Sequence, residues 1–566
     1  MNGFAIWRLA ALLAVIFLFS ALMGVWAAYD RASAWRAFGL IVAGQAAMAI
    51  IVWAGARGGV RALGLMGLAM AWLAGALGIY FLLSYDWAAN DAKFELLQRL
   101  GLWVQGRRPA LILPEDINAN VAASGLTITL FLGLGGLVWA ASSRLWAWLL
   151  LGGLPWLAGL FALVLTASRG AWLGMGAGVL AMLYLWLRRR WSERGTARRL
   201  LDLLAVAALL ALAAGFWAAL RWPELVRALG DVAAGGSAMG RAVLWRDGLD
   251  LVADYPFTGS GLRSTMMVHA SYSLLIHVGF ISHMHNLPLQ IAVEQGVIGS
   301  AAFLGLVAAA AASVLAAVKP GRPNWRFGLA AAAALAAMSV QGMVDAGIYV
   351  SLMLPAMFLP IGFALAAGQE RRPAQAGESL LPPPLARALA LVGVVTLALI
   401  VLLPAGRAAV QANLGAVIQT RAELARYRWP EWPLQDELRR VGAVDLEPAV
   451  ARYRAALAEN PANAAANRRL GQIELSLGQY LAARQHLEAA YAAAPGQRAT
   501  RQMLAESYAI EGELEPAAAL LHTVDTSLDQ VDARIFWYNH IGEPERADLL
   551  RQALEMASPQ RMKNSE

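Results

Sequence analysis

Apolar runs of about twenty residues recur from residue 5 to residue 404, and they leave this chain few folds to choose from. Such a run matches the hydrocarbon thickness of a bilayer, where the backbone must satisfy its polar groups internally. The runs show helical periods and no strand-like alternation, which sets a barrel aside. The expected class is therefore all-α, a polytopic helical membrane protein. Of 566 residues, 59% are hydrophobic and 15% charged, whereas a soluble domain carries ~25% charged residues. With no cysteine, disulfides, thiol catalysis and thiolate zinc sites are excluded.

Eleven candidate spans fall at 6–28, 37–56, 60–83, 118–141, 146–166, 170–187, 200–218, 287–317, 327–343, 348–367 and 386–404. The first is read as a retained span, because no small-residue cleavage site clearly ends it. The eighth is long enough to tilt. A cytoplasmic N-terminus puts the basic stretches RGGVR, SSR, RRRWSERGTARR, KPGRPNWR and QERR inside, while the short outside connections carry Asp30 with Arg31, and Asp345 alone. That is the positive-inside pattern. It also explains the net charge of +8 without nucleic acid, since no basic stripe interleaved with aromatics is present. The loop 219–286 and everything after residue 404 then lie outside the cytoplasm. Tyr29, Trp35, Trp53, Trp139 and Trp146 stand near span ends, where aromatic rings favour the headgroup layer.

After residue 404 the composition changes. Residues 405–444, with the run RWPEWP at 428–433, read as an amphipathic connector near the membrane surface. From 445 to 566 the chain is alanine-rich, charged and helical in period. Pro461 and Pro495 stand 34 residues apart, as do Gly478 and Gly512, and Ala449, Ala483 and Ala517. Small residues recurring at that period are the tetratricopeptide signature, so a short helical solenoid is expected, serving as a cap or as a docking surface for a protein partner.

The outside loop carries the chemistry. Its stretch GRAVLWRDGLDLVADYPFTGSGLRS puts Arg241 and Trp245 on one helix face, then breaks at Pro256 into a turn containing Gly259 and Gly261. Arg241, Arg246 and Arg263 around such a turn could hold a diphosphate, through guanidinium forks and backbone N–H groups. Arg169, in the short outer turn TASRGA, is costly at that depth unless it snorkels, pairs or meets a ligand. Four of the seven histidines, His269, His277, His283 and His285, lie within 17 residues, and His285 opens an apolar helix. On that helix Asn286, Gln290 and Glu294 form one polar stripe, with Glu294 bonded to a donor or facing a cavity. The histidine spacing matches no common metal site, and no metal is expected. A histidine beside arginines suits transfer from a lipid-linked diphosphate. The imidazole acts as general base toward an acceptor hydroxyl, and the arginines stabilise the leaving diphosphate.

The stretches ALMGVWAAYDRASAWRAF, INANVAASGL and TASRGA, and the block from GRAVLW through FTGSGL to HNLPLQIAVEQGVIG, resemble the bacterial O-antigen ligase family. That family also holds O-antigen polymerases and protein O-oligosaccharyltransferases. The resemblance implies a GT-C-like glycosyltransferase in the bacterial inner membrane, its large periplasmic loop closing over the active site. Its donor would be a glycan on undecaprenyl diphosphate and its acceptor a glycan, lipid A-core or protein, with inverting transfer and no metal or cofactor. The family histidine falls on His285, with His283 the alternative base, and the donor-binding arginines fall on Arg169 and Arg241. Arg246, Arg263 and Glu294 follow, with Asn286, Gly259 and Gly261 in support. The resulting division is a transmembrane ligase domain at 1–404, a connector at 405–444 and a periplasmic repeat domain at 445–566. A polymerase is the close rival, and a transporter or flippase, or a membrane-anchored scaffold, are rivals of another class.

Overall fold

A computed structural model describes residues 3–90, 94–109, 117–193, 195–221, 237–273, 281–369, 383–427, 433–524 and 529–558. Among the described residues all regular structure is helical. The membrane part comprises α1 (Gly3–Ala27), α2 (Arg31–Ser84), the short α3 (Glu95–Gln105), α4 (Ala119–Ser142), α5 (Trp146–Leu165), α6 (Arg169–Arg190) and α7 (Gly195–Arg221). The long connection between α7 and α10 holds α8 (Ser237–Asp254) and α9 (Thr265–Ser273). Then come α10 (Leu287–Ala317), α11 (Trp325–Gly342), a 3-10 turn (Leu354–Phe358) running into α12 (Leu359–Gly368), and α13 (Pro383–Leu402).

Six of these, α1, α2, α4, α5, α6 and α10, are long and apolar enough to cross a membrane. The second and third expected spans both lie on α2, a single 54-residue stretch that reverses at Gly59 (φ 56°, ψ −136°). A side chain on Gly55 would touch Leu63, eight residues on, which a straight helix would carry about 12 Å away. Only glycine takes that backbone conformation readily. The other expected spans fall on α7, α11, the 3-10 turn with α12, and α13.

α4 is the central post, buried along most of its length and packed by both α2 and α11. Where it crosses α2, Gly136 and Gly67 meet backbone to backbone. Without a hydrophobic drive between helices in lipid, such close contact of small residues supplies the attraction. α1 packs on α10, and α6 on α11. On one side the basic turns gather: Arg61, Arg322 and Asn324 line one cleft, and Arg189 donates to the carbonyls of Val318 (3.0 Å) and Lys319. On the opposite side the ends of α1 and α4, the 166–169 turn and the turn after α11 converge beneath the connection that carries α8 and α9.

The C-terminal part begins with α14 (Pro404–Leu424) and α15 (Gln435–Arg440). It continues as α16 (Glu447–Glu459), α17 (Ala464–Leu477), α18 (Tyr480–Ala493), α19 (Arg498–Ile510), α20 (Leu514–His522), α21 (Asp529–His540) and α22 (Pro544–Ala557). α17 with α18, α19 with α20, and α21 with α22 form successive hairpins. Gly478, Gly512 and Gly542 close their turns with left-handed backbone (φ 78°, 88° and 79°). The 34-residue offset survives as the register between α17 and α19 and between α18 and α20.

Residues 404–424, expected as part of an amphipathic connector, form the helix α14, about half of it buried and packed along α16, where Gly415 lies against the Tyr453 ring. Its small residues Ala408, Ala412 and Ala416 are what a buried helix face needs. Most of the RWPEWP run lies outside the described residues.

Candidate active site

The two histidines sit in the short segment leading into α10, and three anchors set their geometry. Asn286 caps α10, its side chain accepting from Leu289 N (3.0 Å) while its amide donates to Met343 O (3.3 Å). Met284, between the histidines, is buried and donates its N–H to Gln290 Oε1 (2.9 Å). Gln290 in turn donates to Glu294 Oε1 (2.9 Å), which also accepts from Thr265 (2.9 Å). The polar stripe Asn286–Gln290–Glu294 therefore braces the histidine segment from inside. His285 itself is left-handed (φ 48°), a conformation costing a non-glycine residue about 1–2 kcal/mol, and it brings the two imidazoles to 4.2 Å between ring centroids.

Both rings face Asp345, which lies in the turn after α11. His283 Nε2 and His285 Nδ1 each stand 3.8 Å from Asp345 Oδ2, an ion-pair distance rather than a hydrogen bond. The other carboxylate oxygen accepts from Gly347 N (2.6 Å). Burial alone would raise the Asp345 pKa, but the two imidazoles and the Gly347 N–H hold it well below the usual carboxylate range. The histidines are not equivalent. His283 is engaged at both nitrogens, with Ser282 Oγ at its Nδ1 (2.8 Å), whereas His285 turns Nδ1 to the carboxylate and is the more exposed, 33% against 13%. Its Nε2 is the outward nitrogen.

Arg241, near the start of α8, is partly buried. Burial lowers its pKa, Asp345 raises it and Arg169 lowers it, with a net decrease. Arg241 thus lies within electrostatic reach of Arg169 and of the buried carboxylate that the two imidazoles face. Arg169 stands at the N-terminus of α6, after Ser168 caps that helix (3.5 Å to Ala171 N) and Ala167 turns the chain with φ 50°. Arg246 lies on a different face of α8 from Arg241, since five residues on a helix rotate a side chain by about 140°, and it has interactions of its own. Arg263 (φ 62°) donates to Ser351 O (3.3 Å), interacts electrostatically with Glu294, and faces an adjoining cavity of about 660 Å³. Leu73, Leu77, Val121, Val350 and Met353 supply much of that cavity's apolar wall.

The glycine turn has a different task from the one its spacing suggests. Most of its N–H groups are already engaged: Gly259 N donates to Tyr255 O (3.0 Å), Ser260 N to Val293 O (2.7 Å) and Leu262 N to Gly24 O (3.0 Å). It is a wedge, not a phosphate cradle. Gly259 (φ 68°) presses on the Glu294 carbonyl, just where α10 breaks at Gly296 (φ 74°, ψ 178°). His269 is also elsewhere, buried against Asp247 (Nε2 to Oδ2 3.3 Å), and His277 lies outside the described residues.

Asp345 is the group that sequence reasoning missed. It stood as the lone acid of a short outer turn, sixty residues from the histidines, and only the fold joins them. With His283 and His285 it forms a trio whose ligand atoms lie within 4.8 Å of one another, a donor set that also suits a divalent cation.

A bundle of apolar helices with imidazole, carboxylate and guanidinium groups gathered on one face defines a multi-pass helical membrane protein with a charged, polar candidate site. More specifically, residues 154–304 match the O-antigen ligase family, and an O-antigen ligase domain is present there. The match runs from α5 into α10 and contains Arg169, Arg241, Arg263, His283, His285 and Glu294, but neither Asp345 nor the C-terminal hairpins. It supports an enzymatic, glycan-joining role in a multi-pass inner-membrane protein. No curated protein matches the chain.

Proposed function

We propose that this protein transfers a glycan from an undecaprenyl-diphosphate-linked donor to an acceptor hydroxyl at the periplasmic face of the inner membrane. The observation that carries the reading is the convergence of His285, Asp345, Arg241 and Arg169, three of them within the O-antigen ligase match. His285 Nε2 takes the proton of the acceptor hydroxyl as its oxygen bonds to the anomeric carbon, and Asp345 stabilises the imidazolium at Nδ1. The bond from that carbon to the diphosphate breaks, inverting the centre, and the departing charge is stabilised by Arg241 and Arg169. Arg263 and the apolar cavity beside it lie next to this centre and suit the lipid part of a substrate. The N-terminus and the basic turns are cytoplasmic in this reading, about eleven spans cross the bilayer, and the tail is a tetratricopeptide-type domain in the periplasm.

The test is transfer by purified protein from extracted lipid-linked glycan, offered lipid A-core, a pilin-like protein or more lipid-linked glycan as acceptor. Product on lipid A-core marks a ligase, product on the protein an O-oligosaccharyltransferase, and elongation of the donor a polymerase. Activity is expected to survive a chelator. Loss on chelation, restored by a divalent cation, would reassign the His283–His285–Asp345 trio to metal binding. No product with any acceptor from folded protein would return weight to transport.

A further inference from the structure

The loop helix α8 packs on the membrane helix α10, and the C-terminal hairpins hold it as well, through buried ion pairs. Asp247, Asp250 and Asp254 share one face of α8, at i, i+3 and i+7. Asp247 pairs with Arg498 of α19 (2.8 Å), and Asp254 with both Arg468 and Arg469 of α17, the latter at 3.0 Å. All five side chains are at least nine-tenths buried. Tyr255, directly after α8, accepts from Arg469 (2.8 Å) and meets Thr420 of α14 (2.6 Å). Asn413 of α14 accepts from Phe257 N (3.0 Å) and donates to Thr258 (2.8 Å). Leu244, Leu251 and Tyr255 join Ala416, Val417, Leu424 and Ala499 in one apolar core. The first helices of two successive hairpins, 464–477 and 498–510, thus present arginines to two aspartates seven residues apart on one helix.

We propose that the C-terminal helical domain is an intramolecular clamp: Arg468, Arg469 and Arg498 grip α8 through Asp254 and Asp247 and thereby hold Arg241, on the same helix, against Asp345. Arg498 and Asp247 are positioning residues, far from the reacting atoms. The repeat face that carries these arginines already has its ligand, the chain's own loop, and is not a free docking surface for another protein. The proposal rests on the transfer reading for its kinetic consequence, and its structural half stands apart from it.

Two measurements on the full-length protein decide it. Hydrogen exchange of residues 237–254, which needs no activity, should show α8 protected in the wild type and at least ten-fold faster to exchange in Arg498→Ala and Asp247→Asn. Arg498→Lys, which keeps the charge, should recover part of the protection. Unchanged exchange in both variants overturns the clamp. In the transfer assay, Arg498→Ala should slow turnover on the order of 10²-fold, as expected for misplacing a charge-stabilising group. The same change in an Arg241→Ala background should cost almost nothing more, because its effect runs through Arg241. Equal losses in both backgrounds would mean general destabilisation and defeat the positioning role. Arg484→Ala, which removes partly exposed pairs to Glu511 and Glu513 on the hairpins themselves, should leave both readouts unchanged. An inactive wild type with a protected α8 would count against the transfer reading and not against the clamp.

Discussion

At the residue scale the two histidines divide the work by their surroundings. His283 has a partner at each nitrogen, and His285 keeps Nε2 outward, so His285→Ala should lower transfer by about 10²- to 10⁴-fold. His283→Ala should cost far less, because it removes a neighbour and not the base. Asp345→Asn should approach the His285→Ala loss, since it removes the charge that favours the imidazolium. Single-turnover rates on lipid-linked donor check all three. An Asp345→Asn enzyme at wild-type speed would sink the pairing. Arg241→Ala and Arg169→Ala should each cost roughly 10²- to 10³-fold, and Arg246→Ala much less, given the different face it occupies. His285, Arg169 and Arg241 were legible because each stands in a short, uncommon motif. Asp345 was not, because a single acid in a turn has no pattern around it, and its meaning comes from two imidazoles that the fold places 3.8 Å away.

At the element scale, α10 is a helix made to break. Its kink at Gly296 frees backbone groups, and the 257–262 turn fills the gap, with Val297 N donating to Pro256 O (2.9 Å) and Ser260 N to Val293 O. A side chain on Gly259 would lie 2.2 Å from the Glu294 carbonyl carbon and would also strain a left-handed backbone. Gly259→Ala should therefore destabilise the protein by about 2–4 kcal/mol. Gly176→Ala, on a part of α6 with nothing within 4 Å, should be neutral or stabilise by up to ~1 kcal/mol. Thermal unfolding in detergent compares the two, and equal midpoints would refute the wedge. The sequence marked this turn by its glycines, but the same glycines fit an anion nest or a tight packing wedge. Only the partners of its amides tell the two apart.

At the scale of the whole molecule, membrane part and hairpins meet across the acidic face of α8, which makes their union sensitive to pH. Burial, with Asp254 and Asp247 nearby and Arg468 and Arg498 only partly offsetting them, pushes Asp250 up to about 7. Arg469 and His269 complete the charged surroundings through Asp254 and Asp247. An unfolded aspartate titrates near ~3.9. Between about pH 4 and 7 the folded state therefore holds a proton that the unfolded chain has lost, and stability falls as pH rises through that window. Asp250→Asn should match the wild type below about pH 4 and exceed its unfolding temperature by a margin that grows up to about pH 7. Parallel curves across the range would refute the shift.

The linear chain specifies what short-range physics can specify. Apolar length gives membrane helices, arginine-rich turns give an orientation to test, a 34-residue period gives stacked hairpins, and local motifs give three of the site's charged groups. What waited for the tertiary structure is every relation between distant segments: the fold-back of α2, the partnership of Asp345 with the histidines, the different faces of Arg241 and Arg246, and the burial of α14. The grip of Arg468, Arg469 and Arg498 on α8 belongs with these. Each depends on which groups lose water together, and a charge changes its meaning once a second charge is buried beside it.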